Sequence, residues 1–318
     1  YTIDHSRGCA HPAHCRAQAP WNNRMVRVKA PTRMCEELRA LCDVAEAQAF
    51  HYAGPDTPGP QVHALAHELL ARGLGACYSR DAHVKEWTAA DGEASGPSRI
   101  RKLHASGCRA VEFQIDTGSQ RLLEDYYGHD FGVSQTVGVL AACRNAGLST
   151  VVGLTYPCPH DDYHTREETL RVLRLAQPGS VRVAMPETPP YSAWFQRAGA
   201  FGYRISRRSY PRWAAGWQDA APYRMAGWSQ ARIAAAQDCL HGELMELGLT
   251  ARLSARELLI ARIAGDEAGF WKEISRCCAA FDAQGLRDYI EVFNAAMRRR
   301  TGVRPLRVFV PQLAAVGN

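Results

Sequence analysis

Short runs rich in β-branched and aromatic residues return along this chain at intervals of roughly 30 residues, with a helical pattern between each pair. The runs occupy residues 1–4, 48–53 (QAFHYA), 73–80 (GLGACYSR), 109–116 (RAVEFQID), 149–156 (STVVGLTY) and 180–185 (SVRVAM). Helical spacing of apolar residues marks 32–47, 61–71, 136–145 and 166–175, and Pro31 and Gly73 stand where a helix opens and stops. Strands this far apart are joined by crossovers and therefore run parallel. Six such units predict an α/β fold: an open (β/α)6 partial TIM-type barrel or a doubly wound sheet, which periodicity alone does not separate.

Past residue 187 the pattern changes. Pro186, Pro189 and Pro190 mark a loop, 203–217 is rich in aromatics and arginine, and helical patterns follow at 229–247, 254–263 and 266–300. The expected organisation is a partial barrel over 1–205 and a helical C-terminal extension over 206–318. A chain of 318 residues, 46% hydrophobic, has material for one large barrel domain or two ordinary domains. The net charge of +6 suits an anionic small molecule or a partner surface without requiring nucleic acid. The run Arg298-Arg299-Arg300 reads as a solvated helix end. No stretch of about 18 apolar residues is present, so no membrane helix is expected. Eleven cysteines, spread from Cys9 to Cys278, read as reduced thiols and metal ligands in a cytoplasmic protein. Because Tyr1 already lies in a strand pattern, the natural N-terminus is expected upstream.

In parallel α/β folds ligands bind beyond the carboxyl ends of the strands. The residues there are Arg7 to Gln18 after the first strand, Gly54, Pro55 and Asp56 after the second, Arg80 and Asp81 after the third, Asp116 to Gln120 after the fourth, and Tyr156 to Asp161 after the fifth. Ser6-Arg7-Gly8-Cys9 resembles the start of the cluster loop of radical S-adenosylmethionine (radical SAM) enzymes, especially the cobalamin-associated branch. The stretch from Gly107 to Leu123, with Asp116-Thr117-Gly118-Ser119-Gln120 at its centre, resembles that family's fourth strand. Val152-Gly153-Leu154-Thr155-Tyr156-Pro157 resembles its fifth, and Pro186 to Tyr191 with Gly199 a variant of its sixth-strand loop. The resemblance covers residues 1 to about 205.

That resemblance implies a 4Fe-4S cluster held by three thiolates, with S-adenosylmethionine on the fourth iron. It implies a 5′-deoxyadenosyl radical that takes hydrogen from a small-molecule substrate, for modification or methylation of it. Cobalamin, an electron donor such as ferredoxin or flavodoxin, and an upstream cobalamin-binding domain belong to the same implication. Cofactor-binding positions are then Arg80, Asp116, Ser119 and Gly153, and metal ligands Cys9 and Cys15. This chain departs from the family pattern: five residues separate Cys9 from Cys15, and Gln18 stands where a third cysteine is expected. The third ligand is then His11, His14, Cys35 or Cys158. The alternatives are a barrel that has lost its cluster and supports a partner enzyme, and a zinc site in the same loop, whose spacing matches no standard module.

Overall fold

A computed structural model describes residues 1–8, 26–45, 49–54, 57–88, 96–190, 192–206, 222–251 and 253–264. The cysteines and histidines of 9–25 and the helix expected at 266–300 lie outside the described residues.

All six expected strands form: β1 Thr2–Asp4, β4 Ala49–Ala53, β5 Cys77–Ala82, β6 Cys108–Asp116, β7 Ser149–Thr155 and β8 Ser180–Ala184. They pair in that order, every pair parallel, with bulges in β5·β6 and β6·β7. Between them run α1 Pro31–Ala45, α2 Gly59–Ala71, α3 Val84–Trp87, α4 Gly96–Ala105, α5 Val133–Asn145 and α6 Tyr163–Ala176. The short strands β2 Ser6–Arg7 and β3 Arg27–Val28 form an antiparallel ribbon at the end of β1, and residues 9–25 connect its two strands.

Alternation along the strands sorts side chains between two environments. One set, including Phe50, Tyr52, Tyr78, Val111, Phe113, Ile115, Val152, Leu154 and Val181, packs against the helices in the main core. The other set faces the lumen. At the bottom of the lumen Ala49, Cys77, Ala110 and Val151 meet a plug from the C-terminal part of the chain.

That plug changes the expected organisation. After α7 Ala193–Gln196 and the hairpin β9 Tyr203–Ile205 with β10 Tyr223–Met225, helix α8 Gln230–Glu246 crosses back to the sheet. A two-residue strand, β11 Thr250–Ala251, then pairs parallel with β8 as a seventh strand. Helix α9 Ala255–Ala264 follows, and its Leu258 and Leu259, with Leu253, fill the lower lumen. Among the described residues beyond 205, Thr250 and Ala251 extend the sheet and Leu253 to Leu259 floor the barrel. A capping box starts α9, with the Ser254 backbone N–H and hydroxyl both donating to Glu257 (2.6 and 2.8 Å) and the Glu257 N–H returning a bond to Ser254 Oγ. Glu112 of β6 adds to it, accepting from the Ala255 N–H at 3.1 Å while pairing with Arg182 of β8 at 2.5 Å. Among the described residues the sheet does not close on itself, and no helix is long and apolar enough to cross a membrane.

Candidate functional site

Above the apolar floor the lumen turns polar. A packed barrel interior consists of layers of branched apolar side chains. Here the middle carries His51, Ser79, Asp81, Glu112, Gln114 and Arg182. His51 is buried, with Nδ1 3.0 Å from Ser79 Oγ and Nε2 3.3 Å from Asp81 Oδ2. Gln114 and Arg182 are exposed, so this belt is wetted by solvent rather than sealed.

The belt leads up to Asp116, the last residue of β6. The strand breaks register between Gln114 and Asp116, and Asp116 takes a left-handed φ of 63°. Few residues other than glycine and asparagine tolerate that conformation as well as aspartate. Its carboxylate accepts three hydrogen bonds: Thr155 Oγ1 at 2.5 Å and Gln114 Nε2 at 2.8 Å on Oδ1, and His129 Nε2 at 2.7 Å on Oδ2. Burial favours the protonated acid, but the hydrogen bond and charge of His129, with the bonds from Thr155 and Gln114, outweigh it and hold the pKa below the ordinary value. His129 packs in turn against two rings, stacked 5.9 Å from Tyr127 and tilted 4.5 Å from Phe131.

The turn after Asp116 is pressed onto α6. A Cβ on Gly118 would lie 2.5 Å from Thr169 Cα, and the Gly118 N–H donates to Thr169 Oγ1 at 2.9 Å. Ser119 follows, fully buried, with its hydroxyl unpartnered. Gly153 faces the lumen beside Gln114, whose flexible amide occupies the space a Cβ would take. A narrow cleft behind Asp116 is lined by Thr155, Asp161, Arg166 and Thr169. Burial raises the Asp161 pKa despite bonds from the Cys158 N–H and Thr165.

The structure therefore brings Asp116 and Gly153 to one mouth, buries Ser119 in the turn that follows Asp116, and separates Arg80 from them. Arg80 alternates with Ser79 and Asp81 on β5, so its side chain leaves the lumen for the helix layer, where it lies 5.9 Å from the Trp87 ring. The two described cysteines considered as metal ligands are also away from open space. Cys35 on α1 is in the main core and Cys158 is fully buried in a second core with Tyr126, Tyr127 and Trp194. Burial raises both thiol pKa values, which disfavours the thiolate a metal requires. Among the described residues no group of three His, Cys, Asp or Glu side chains is placed to hold a metal ion. His129, Gln114 and Thr155 escaped the sequence reading, although Gln114 and Asp116 stand two apart on a strand and so share a face.

No protein-family model matches the chain, and no curated protein matches it in sequence. Solved structures do. The cobalamin-dependent S-adenosylmethionine radical enzyme OxsB, with aqua-cobalamin and S-adenosylmethionine bound, matches with a TM-score of 0.58 at 11% identity, over 94% of this chain and 45% of that one. The radical S-adenosylmethionine methyltransferase TsrM from Kitasatospora setae, with cobalamin and an iron–sulfur cluster bound, gives 0.56 at 14% identity, over 94% and 61%. SuiB from Streptococcus suis, bound to S-adenosylmethionine, gives 0.51 at 12% identity, over 82% and 51%. The chain thus has the fold of radical SAM enzymes, cobalamin-dependent ones among them, and spans about half the length of these structures.

Proposed function

We propose that this chain is the barrel of a radical SAM enzyme that binds S-adenosylmethionine in its mouth and modifies or methylates a small molecule. The observation that carries the reading is the Asp116 carboxylate, held in a left-handed turn at the open end of the barrel by Thr155, Gln114 and His129. A carboxylate offers about four acceptor positions and three are taken, so one is left for a hydroxyl or ammonium group of the ligand. The movable Gln114 amide beside Gly153 fits the same ligand.

Residues 9–25 would hold the cluster, with Cys9 and Cys15 as two ligands. The burial of Cys35 and Cys158 favours His11 or His14 as the third. When bound, the cluster supplies the electron that cleaves the sulfonium, yielding the radical that takes hydrogen from substrate. The chain's own groups orient the cofactor at Asp116 and shield the radical in the lumen. An electron donor of the ferredoxin or flavodoxin kind, a cytoplasmic location, and cobalamin for a methyl transfer complete the proposal. The last draws on the names of the OxsB and TsrM structures.

The test is anaerobic reconstitution with iron and sulfide, read by iron content and electron paramagnetic resonance. About four irons per chain, and a reduced signal that shifts when S-adenosylmethionine is added, are expected. Asp116→Asn should weaken the cofactor-dependent shift at least ~10-fold in concentration, equivalent to about 1.4 kcal/mol. Fewer than about two irons and no shift would refute the reading. That outcome would favour the second one, a cluster-free barrel supporting a partner enzyme, to which Gln18 and the buried thiols already lend weight.

A further inference from the structure

Between the sheet and helices α2 and α3 lies a layer of buried polar atoms that the mouth does not use. Arg80 of β5 is almost wholly buried, and only its Nε has a partner, the Asp81 carbonyl at 3.2 Å. Its Nη1 and Nη2 have none, and no acid pairs with it among the described residues. Tyr52, its register partner on β4, has an orphaned hydroxyl. His5, just past β1, is fully buried with both ring nitrogens orphaned, its ring 6.4 Å from that of Tyr52. His63 of α2 leaves a buried Nδ1 without a partner. Six polar atoms on four neighbouring residues are thus unsatisfied, where native interiors leave only a few per hundred residues.

The charge within this layer is that of Arg80, offset in part by Asp81 across the strand and by the Trp87 ring at 5.9 Å. Arg80 stays a cation in protein interiors. Burial first, and the Arg80 charge next, push the His5 pKa down to about 3. Burial, Arg99 and then Arg80 push that of His63 to about 4. Both imidazoles are therefore neutral near pH 7, each with one N–H to donate, beside the guanidinium fork and the Tyr52 hydroxyl. Water would satisfy these donors but would not neutralise the charge, and an uncompensated buried charge is strongly unfavourable. Planar guanidinium is the side chain best matched to two oxygens of an oxyanion.

We propose that this layer is a binding site for a small oxyanion, a carboxylate or a phosphate, centred on Arg80 and completed by His5, Tyr52 and His63. The site is separate from the mouth, because Arg80 leaves β5 on the face opposite Ser79 and Asp81. The partly exposed His63 marks where the layer meets solvent. His5 also joins the barrel to the β2–β3 ribbon: its N–H donates to the Ala53 carbonyl and its carbonyl accepts from the Lys29 N–H. Occupancy would therefore steady the β2–β3 ribbon against the barrel.

The experiment is thermal unfolding of the whole chain in a buffer free of oxyanions, titrated separately with inorganic phosphate and with acetate. Sodium chloride at matched ionic strength is the control. A saturable rise in Tm with phosphate, acetate or both is expected, the effective probe telling a phosphoryl ligand from a carboxylate one. Arg80→Met should raise Tm in anion-free buffer, since the unpaired charge is gone, and weaken half-saturation at least ~10-fold. Tyr52→Phe, which keeps the ring and deletes one orphaned hydroxyl, should weaken it several-fold and decides the matter if Arg80→Met does not fold. The proposal fails if chloride reproduces the rise, if neither probe raises Tm, or if the variants respond as the parent does.

Discussion

Replacing Asp116 by asparagine tests the mouth without disturbing its backbone. Asparagine accepts a φ of 63° as readily as aspartate, so the turn survives. What changes is the acceptor. Three donors converge on the carboxylate, from Thr155, Gln114 and His129. An amide has one acceptor oxygen and turns its NH2 group toward the others. The Thr155 hydroxyl can rotate to accept from that NH2 group, but the charge assistance to all three bonds is lost. Hydrogen bonds to charged groups contribute about 1.5–3 kcal/mol and neutral ones about 1, so the expected loss is about 2 kcal/mol at pH 7. Asp116→Ala should lose about 1 kcal/mol more, because alanine is strained at positive φ. The sign of the pH effect follows from the depressed pKa. The stabilisation is present above the unfolded-state value of about 3.9 and disappears as pH falls through the lower folded-state value. Urea unfolding of parent and Asp116→Asn should therefore show a gap at pH 7 that narrows as pH falls below about 3.9. Equal stability at pH 7, or a gap that persists unchanged in acid, would refute the account of Asp116 as an ionised, hydrogen-bonded anchor.

Three further outcomes are expected. Gly118→Ala places a Cβ 2.5 Å from the backbone of α6, where no flexible side chain can yield, and should destabilise by about 1–3 kcal/mol in urea unfolding. Cys158→Ala should leave the iron content after reconstitution unchanged while lowering stability by about 1 kcal/mol, because its thiol fills a core; loss of iron would identify it as a ligand after all. Glu112→Gln weakens both the pair to half-exposed Arg182 and the anchoring of α9, and should cost about 1 kcal/mol. Hydrogen exchange should localise that effect to α9 and the strand starts it covers, and uniform protection across the chain would argue against α9 as the barrel floor.

The strands were legible because parallel strands buried on both sides are continuous apolar runs, and β7, STVVGLT, is nearly all buried. Helix α4, GPSRIRKLHA, was not. It opens on Gly-Pro, which reads as a turn, and of residues 98–105 only Ile100 and Leu103 are buried. Strand β11 was hidden for another reason. Two residues cannot display an alternation, and its place in the sheet depends on α8 crossing back, a long-range event with no local signature. The floor of the barrel followed it out of sight, since α9 looks from sequence like any helix starting at a Ser-x-x-Glu box.

The mouth shows the same division between local and non-local information. Asp116 could be singled out because the end of a parallel strand is a position that can be counted along a sequence, whereas Gly153, within β7, came only from the resemblance. The face of a strand can be counted too, and there Arg80 gives the sharper lesson. Its neighbour Asp81 and its predecessor Ser79 are tied to His51 in the lumen, so alternation sends Arg80 to the other side, among Tyr52, Tyr78 and Trp87. Counted from sequence, Arg80 stands just after the third strand and was expected at the mouth, yet a guanidinium facing the helix layer is the more costly arrangement. Since that arrangement is the one adopted, and since no acid answers it among the described residues, the cost itself becomes informative. A chain that keeps an unpaired cation in its helix layer, and two neutral histidines beside it, is built to be completed there by a negatively charged group.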